Sequence, residues 1–273
     1  MWRSSSRGFT LIEILVAAAI SALITVTIYM MFETNQSTFN KGEADTDLQQ
    51  NARVAMDRLI RELRMAGSQV PTGTTPSQIV PMVLANQTEV RFLADLDNAS
   101  TSLITWANPG ATSITVTSAS GFFVNDSFYI TDGAKWEQVT ATSVNKITTP
   151  HTISFTPALS WSYAPRSQVL RSKTIRYSLV CEAPSGETCP PYAYTLKRDG
   201  GGGQLHPLAV KISGLTFAYY DANNSLLAAP VASGSLKDIR RITITLTASD
   251  TLPREGPRSY ALRSEVRPRN LGL

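Results

Sequence analysis

The chain has 273 residues, 42% of them hydrophobic and 17% charged, which excludes a disordered chain and provides material for one sizeable domain beside any membrane segment. Its net charge of +4 includes Arg3 and Arg7, and without those two the excess is too small to argue for nucleic acid as the principal partner. Two cysteines and two histidines give no zinc-like spacing, so no metal and no cofactor is expected.

From Phe9 to Phe32 there is no Gly, Pro, Lys or Arg. A bilayer-spanning helix needs about 20 apolar residues, and this run supplies them. Arg3 and Arg7 precede the run, and Glu33, Glu43, Asp45 and Asp47 follow it. The positive-inside bias therefore keeps the start in the cytoplasm and exports the rest. A secretory signal has an apolar core of about 7–15 residues followed by a small-residue cleavage site. Here the run is longer, and its glycine, Gly8, comes before it. The odd residue is Glu13, because a carboxylate inside a spanning helix costs roughly 2.5–3.5 kcal/mol and needs a partner. Cleavage between Gly8 and Phe9 creates an α-amino group one helical turn from Glu13. A neighbouring subunit's amine is the better partner, since it also fixes axial register.

The junction Gly8-Phe9-Thr10-Leu11-Ile12-Glu13 resembles the class III leader junction of type IV pilins and their relatives. The resemblance implies a leader over residues 1–8 removed by a prepilin peptidase between Gly8 and Phe9, N-methylation of Phe9, and use of Glu13 in subunit docking. It also implies a non-enzymatic protein, and no local nucleophile-and-base signature surrounds His151 or His206.

After the membrane half, 9–32, an amphipathic half is expected over 33–67. Leu48, Ala52, Ala55, Leu59, Leu63 and Ala66 fall at steps of three and four and mark its buried face. Asp57 with Arg61 and Arg58 with Glu62 are four-residue pairs on the opposite side, read as a solvated face. Gly67 and Pro71 are stop signals. One helix from about Thr10 to Ala66 would extend roughly 85 Å. A bend or local break is expected at Gly42, since Gly costs about 1 kcal/mol in a helix.

Residues 68–273 read as a β-rich domain outside the cytoplasm. Strands are expected at Val80–Leu84, Thr88–Leu93, Lys173–Val180, Tyr194–Gly200, Val210–Tyr220, Ile239–Ala248 and Tyr260–Val266. Between them, Ile114–Val169 is rich in Thr, Ser, Val and aromatics, with turn signals at Gly121, Asn125-Asp126, Asp132-Gly133, Asn145-Lys146 and Thr149-Pro150. It reads as an inserted barrel-like or sandwich-like lobe of five or so strands at about 110–170. Asp95-Leu96-Asp97-Asn98 is a polar turn before it is a Ca²⁺ loop, because it lacks the Gly and distal Glu. Gly200–Gly203 is a flexible connection without the Lys-Ser/Thr of a phosphate loop. Cys181 and Cys189, close in sequence and beyond the export signal, read as a short-loop disulfide.

The segments Asn51-Ala52-Arg53, Leu59 to Gly67, Leu196 to Gly200, Leu215 to Asp221 and Leu262 to Asn270 resemble the PilW group of large minor pilins and also the J-type minor pseudopilin of type II secretion. The resemblance covers roughly 1–95 and 173–273, and the lobe lies outside it. It implies an α+β pilin-like fold, a long N-terminal helix packed on an antiparallel sheet. It implies as partners other minor and major pilins, the prepilin peptidase, the inner-membrane assembly platform, and membrane lipid before assembly. The implied location is the bacterial inner membrane and then the pilus at the cell surface, with adhesion or twitching motility as the outcome. The other readings are a minor pseudopilin, or a tip adhesin or DNA-binding module. The arginines Arg258, Arg263, Arg267 and Arg269 are read first as charges that discourage edge-to-edge strand pairing, with DNA contact the lesser reading.

Overall fold

The second half of the long helix carries the residues around which the β elements assemble. The computed structural model describes residues 10–184, 186–190, 193–252 and 256–271. Helix α1 spans Leu11–Arg64, and the chain divides into two compact units, up to Asp47 and from Leu48 onward. In the second unit, Leu48, Ala52, Ala55, Met56, Leu59 and Leu63 are buried on one stripe. Leu, Ala and Met cost little side-chain entropy in a helix, and the stripe gives that helix an apolar face to bury. Gly67 ends the turn after α1 at φ +83°, and its N–H donates to the Leu93 carbonyl at 2.8 Å. A Cβ there would lie 2.9 Å from that of Asn270, so only glycine fits this stop.

The break expected at Gly42 is absent. Helix α1 runs through it, and the Thr46 hydroxyl donates to the Gly42 carbonyl at 2.7 Å. One glycine costs about 1 kcal/mol, and in a cooperative helix that cost leads to a break only where a competing turn takes over.

The helix packs on antiparallel sheet as expected, and that sheet is divided in two. The first has five strands: β1 (Met82–Ala85), β2 (Glu89–Ala94), β9 (Lys173–Cys181), β10 (Tyr194–Asp199) and β11 (His206–Ala209), in that spatial order. The second has four, β12 (Ile212–Tyr220), β13 (Leu226–Leu227), β14 (Arg241–Leu252) and β15 (Gly256–Val266), ordered β13-β12-β14-β15. The split falls between β11 and β12, where Lys211 turns the chain at φ 58°. On β14, Ile242, Ile244 and Leu246 are fully buried, and with the α1 stripe they join one core that both sheets share.

Between β2 and β9 the chain makes a separate lobe with its own core. Its strands are β3 (Ser100–Ser102), β4 (Ser113–Val116), β5 (Ser127–Thr131), β6 (Trp136–Asn145), β7 (His151–Thr156) and β8 (Gln168–Leu170), in the order β3-β8-β5-β6-β7-β4. Leu103 bridges Val116, and Thr117 N–H donates to the Ser102 carbonyl at 3.0 Å, so the sheet closes on itself. Closure removes the free edges that an isolated small sheet exposes. Phe122, Phe128 and Phe155 fill the interior edge to face, at centroid distances of 5.8 and 5.9 Å. Strand β3 lies upstream of the expected lobe; its Ser-Thr-Ser sequence carries no apolar alternation that would mark it.

At the neck of the lobe, Arg171 is 2% exposed and donates to Asp97 at 2.5 Å and to Asp126 at 2.9 Å. Asp97, weighed above as a cation ligand, is occupied by Arg171 and by Lys173 at 3.5 Å. Gly200–Gly203 is also tied down: the Asp199 carboxylate accepts from the N–H groups of Gly201, Gly202 and Gly203 at 2.8, 2.9 and 3.1 Å.

Glu62 departs from its reading as a surface residue. It is 9% exposed, and its Oε2 accepts from the Tyr177 hydroxyl at 2.7 Å and from Arg198 Nε at 2.8 Å, while Oε1 accepts from Arg58 Nε at 3.1 Å. One helix carboxylate thus joins α1 to β9 and β10. Burial, and then the neighbouring Glu62 charge, push the Tyr177 hydroxyl well above the usual phenol range. Burial works against the Arg198 charge, but the Glu62 hydrogen bond and charge more than restore it, and its pKa is raised.

Glu62→Ala leaves Arg198 and the Tyr177 hydroxyl without their partner, and should cost about 3–5 kcal/mol of stability in urea unfolding of the full chain in detergent. Tyr177→Phe should cost about 1–1.5 kcal/mol, and the double variant less than the two added.

Asp95, 3% exposed, lies at the same neck, with Oδ1 accepting from Asp97 N–H at 3.0 Å and Oδ2 buried without a partner. Burial raises its pKa. A carboxyl raised on folding stabilises the fold when protonated, below the ordinary carboxylate range, and that contribution is lost as pH rises through the raised value. Asp95→Asn, neutral at every pH, should therefore unfold at a higher temperature than the native chain near pH 7, with the gain shrinking toward pH 3.

Candidate functional site

The first unit contains the residues singled out for docking. Leu11, Ile12, Ile14, Leu15, Leu23, Met31 and Phe32 are all exposed, with Leu11 at 78%. Among the described residues α1 alone is long and apolar enough to cross a membrane, with a mean hydropathy of 2.4 over its most apolar window. Such a surface, apolar all round, suits lipid or other helices as its surroundings.

Three threonine hydroxyls along it are satisfied by the helix itself. Thr25 donates to the Ser21 carbonyl and Thr27 to the Leu23 carbonyl, each at 2.8 Å, and Thr34 donates to Met30 at 2.8 Å. Back-bonding of this kind lets a hydroxyl enter a medium that offers it no other partner.

Glu13 also has a partner within the chain. Its Oε2 accepts from Thr10 N–H at 2.8 Å and from the Thr10 hydroxyl at 2.9 Å, while the Glu13 N–H lies 3.3 Å from the Thr10 oxygen it donates to. This is a capping box, a Thr at the start of the helix and a Glu three residues on, each satisfying the other's backbone amide. The sequence contained the signal, since Thr10-Leu11-Ile12-Glu13 has the T-x-x-E spacing. Reading Glu13 through its charge alone left out Thr10. Gly8 and Phe9, the residues expected at the cleavage and methylation position, lie outside the described residues.

Elsewhere Cys181 and Cys189 form a disulfide with their Cα atoms 6.0 Å apart. His151 and His206 are on different sheets, β7 and β11. No three His, Cys, Asp or Glu residues converge as a metal site among the described residues. Of the tryptophans, Trp136 ties the lobe to the loop after α1, with Nε1 donating to the Ser77 carbonyl at 2.7 Å.

Residues 3–29 match the prokaryotic N-terminal methylation motif. No curated protein and no solved structure matches the chain. The matched span includes Gly8, Phe9, Thr10 and Glu13 and most of the exposed apolar helix. Together with a long helix packed through its second half on antiparallel sheets, it supports a pilin- or pseudopilin-like structural subunit whose N-terminal helix is long and apolar enough to cross a membrane.

The disulfide closes a short loop at the end of β9, well away in sequence from the helix. Replacing both cysteines by Ser should lower stability by roughly 2.5 kcal/mol through the unfolded chain's regained freedom, measured by urea unfolding under oxidising conditions, without changing membrane insertion.

Proposed function

We propose that the chain is a minor pilin of a type IV pilus. It is cleaved between Gly8 and Phe9 by a prepilin peptidase, is methylated on Phe9, and waits in the bacterial inner membrane with its β domain outside the cytoplasm. It then packs its helix among other minor and major pilins on the inner-membrane assembly platform, where it primes or caps the fibre. The observation that supports this reading is the overlap of the methylation-motif match with most of the exposed apolar half of α1. In a bilayer that surface has lipid as solvent, and in a fibre it has neighbouring helices.

Glu13 has two successive partners in this scheme. Before assembly it caps its own helix through Thr10, at no cost in unpaired polar groups. In the fibre it meets the new amino terminus of a neighbour, a charged donor that forms a stronger bond than a neutral one. The leader's removal thereby creates the group that docking requires.

Gly8→Ala should leave the leader attached, seen as an unshortened chain on a gel and by mass spectrometry. Glu13→Leu should be cleaved and inserted normally yet enter fibres at a small fraction of the native level, about tenfold lower for the loss of one buried ion pair. Normal incorporation of Glu13→Leu would remove the docking role. Deletion of the chain separates a pilus from a secretion pseudopilus: loss of piliation or twitching supports the proposal, whereas retained exoproteins with normal pili refute it.

A further inference from the structure

The lobe exposes apolar side chains at the end that carries its neck, where the Arg171 guanidinium lies 5.8 Å from the centre of the Phe123 ring. Ile147 is 95% exposed, Phe123 57% and Val124 53%. They belong to two loops, one between β4 and β5 and one between β6 and β7, and the Lys146 ammonium sits 4.0 Å from the centre of the Phe123 ring. That contact brings the four residues into one cluster.

Both loops are held by local hydrogen bonds. Asn145 Oδ1 accepts from Ile147 N–H at 3.0 Å, and Asn145 Nδ2 donates to the Thr148 hydroxyl at 2.7 Å. Across the gap, the Asp126 carboxylate accepts from Phe123 N–H at 2.9 Å, and Asn125 N–H donates to the Ala141 carbonyl at 2.8 Å. The apolar groups are therefore already positioned, so burying them loses little further freedom. Scattered single apolar residues on a surface need no explanation, but a fixed cluster rimmed by a cation does.

The shape and charge of the cluster distinguish its partners. Ile147 projects from a hairpin turn, a convex tip that a flat surface cannot enclose and that a fluid layer can. Lys146 is the exposed cation among the tip residues; beside it, buried Arg171 pairs with both Asp126 and Asp97, and Lys173 also meets Asp97, so those four charges cancel and Lys146 is left in excess. We propose that this end of the lobe docks on anionic phospholipid, with Phe123, Val124 and Ile147 entering the acyl boundary and Lys146 lying among the headgroups. The site is independent of the helix and of the assembly reading.

The test uses the full chain anchored by its helix in nanodiscs of neutral phosphatidylcholine, mixed with separate vesicles and read by co-flotation. Vesicles containing phosphatidylglycerol should bind about fivefold better than pure phosphatidylcholine, the preference one lysine confers. Ile147→Ser or Phe123→Ser should reduce binding about tenfold or more, and Lys146→Glu should abolish the phosphatidylglycerol preference alone. All three residues are at the surface, so an unchanged thermal unfolding midpoint confirms that the variants fold. Equal binding to both vesicle types, binding that survives Ile147→Ser, or no binding to either vesicle overturns the proposal. So does a photocrosslinker at position 123 that reacts with a fibre protein while vesicles are ignored, because the cluster is then a protein contact.

Discussion

One helix has to satisfy two different surroundings, and the rest of the molecule follows from how its sequence changes along its length. Up to Phe32 it is apolar on every side and makes its own polar pairs, Glu13 with Thr10 and each threonine with the carbonyl a turn earlier. From Leu48 it has a single apolar stripe, and two sheets close on that stripe. Continuity through Gly42 keeps both halves in a single hydrogen-bonded element.

Packing alone leaves a stripe free to slide against a sheet. The Glu62 cluster removes that freedom, because its carboxylate meets Tyr177 on β9 and Arg198 on β10 at fixed distances. A buried charge that is fully paired specifies a register even where its net contribution to stability is small. The disulfide between Cys181 and Cys189 then fastens the end of β9, the central strand of the first sheet.

Much of this architecture was legible because it rests on periodicity. The steps from Leu48 to Ala66 and the alternation of Ile242, Ile244 and Leu246 record burial directly, and the structure buries them. What escaped had no such record. Ser100–Ser102 forms a strand because β8 is beside it, and Leu226–Leu227 is too short to show a period. Glu62 looked like half of a surface pair because the residues that bury it, Tyr177 and Arg198, are far away in sequence. Thr10 was legible as a cap and was missed because the charge of Glu13 drew the reading toward an external partner. Phe123 and Ile147 lie beside turn signals at Gly121, Asn125-Asp126 and Asn145-Lys146, and only the Lys146 contact shows that their loops meet.

The lobe's two ends meet where Arg171 N–H donates to the Ala99 carbonyl at 3.1 Å, and its core shares no residue with the one beneath the helix. A module whose entry and exit are a hydrogen bond apart places no strain on its host. Descendants of this chain are free to enlarge, swap or discard it as a cassette, so the surface it offers to the world can diversify while the scaffold below keeps its geometry.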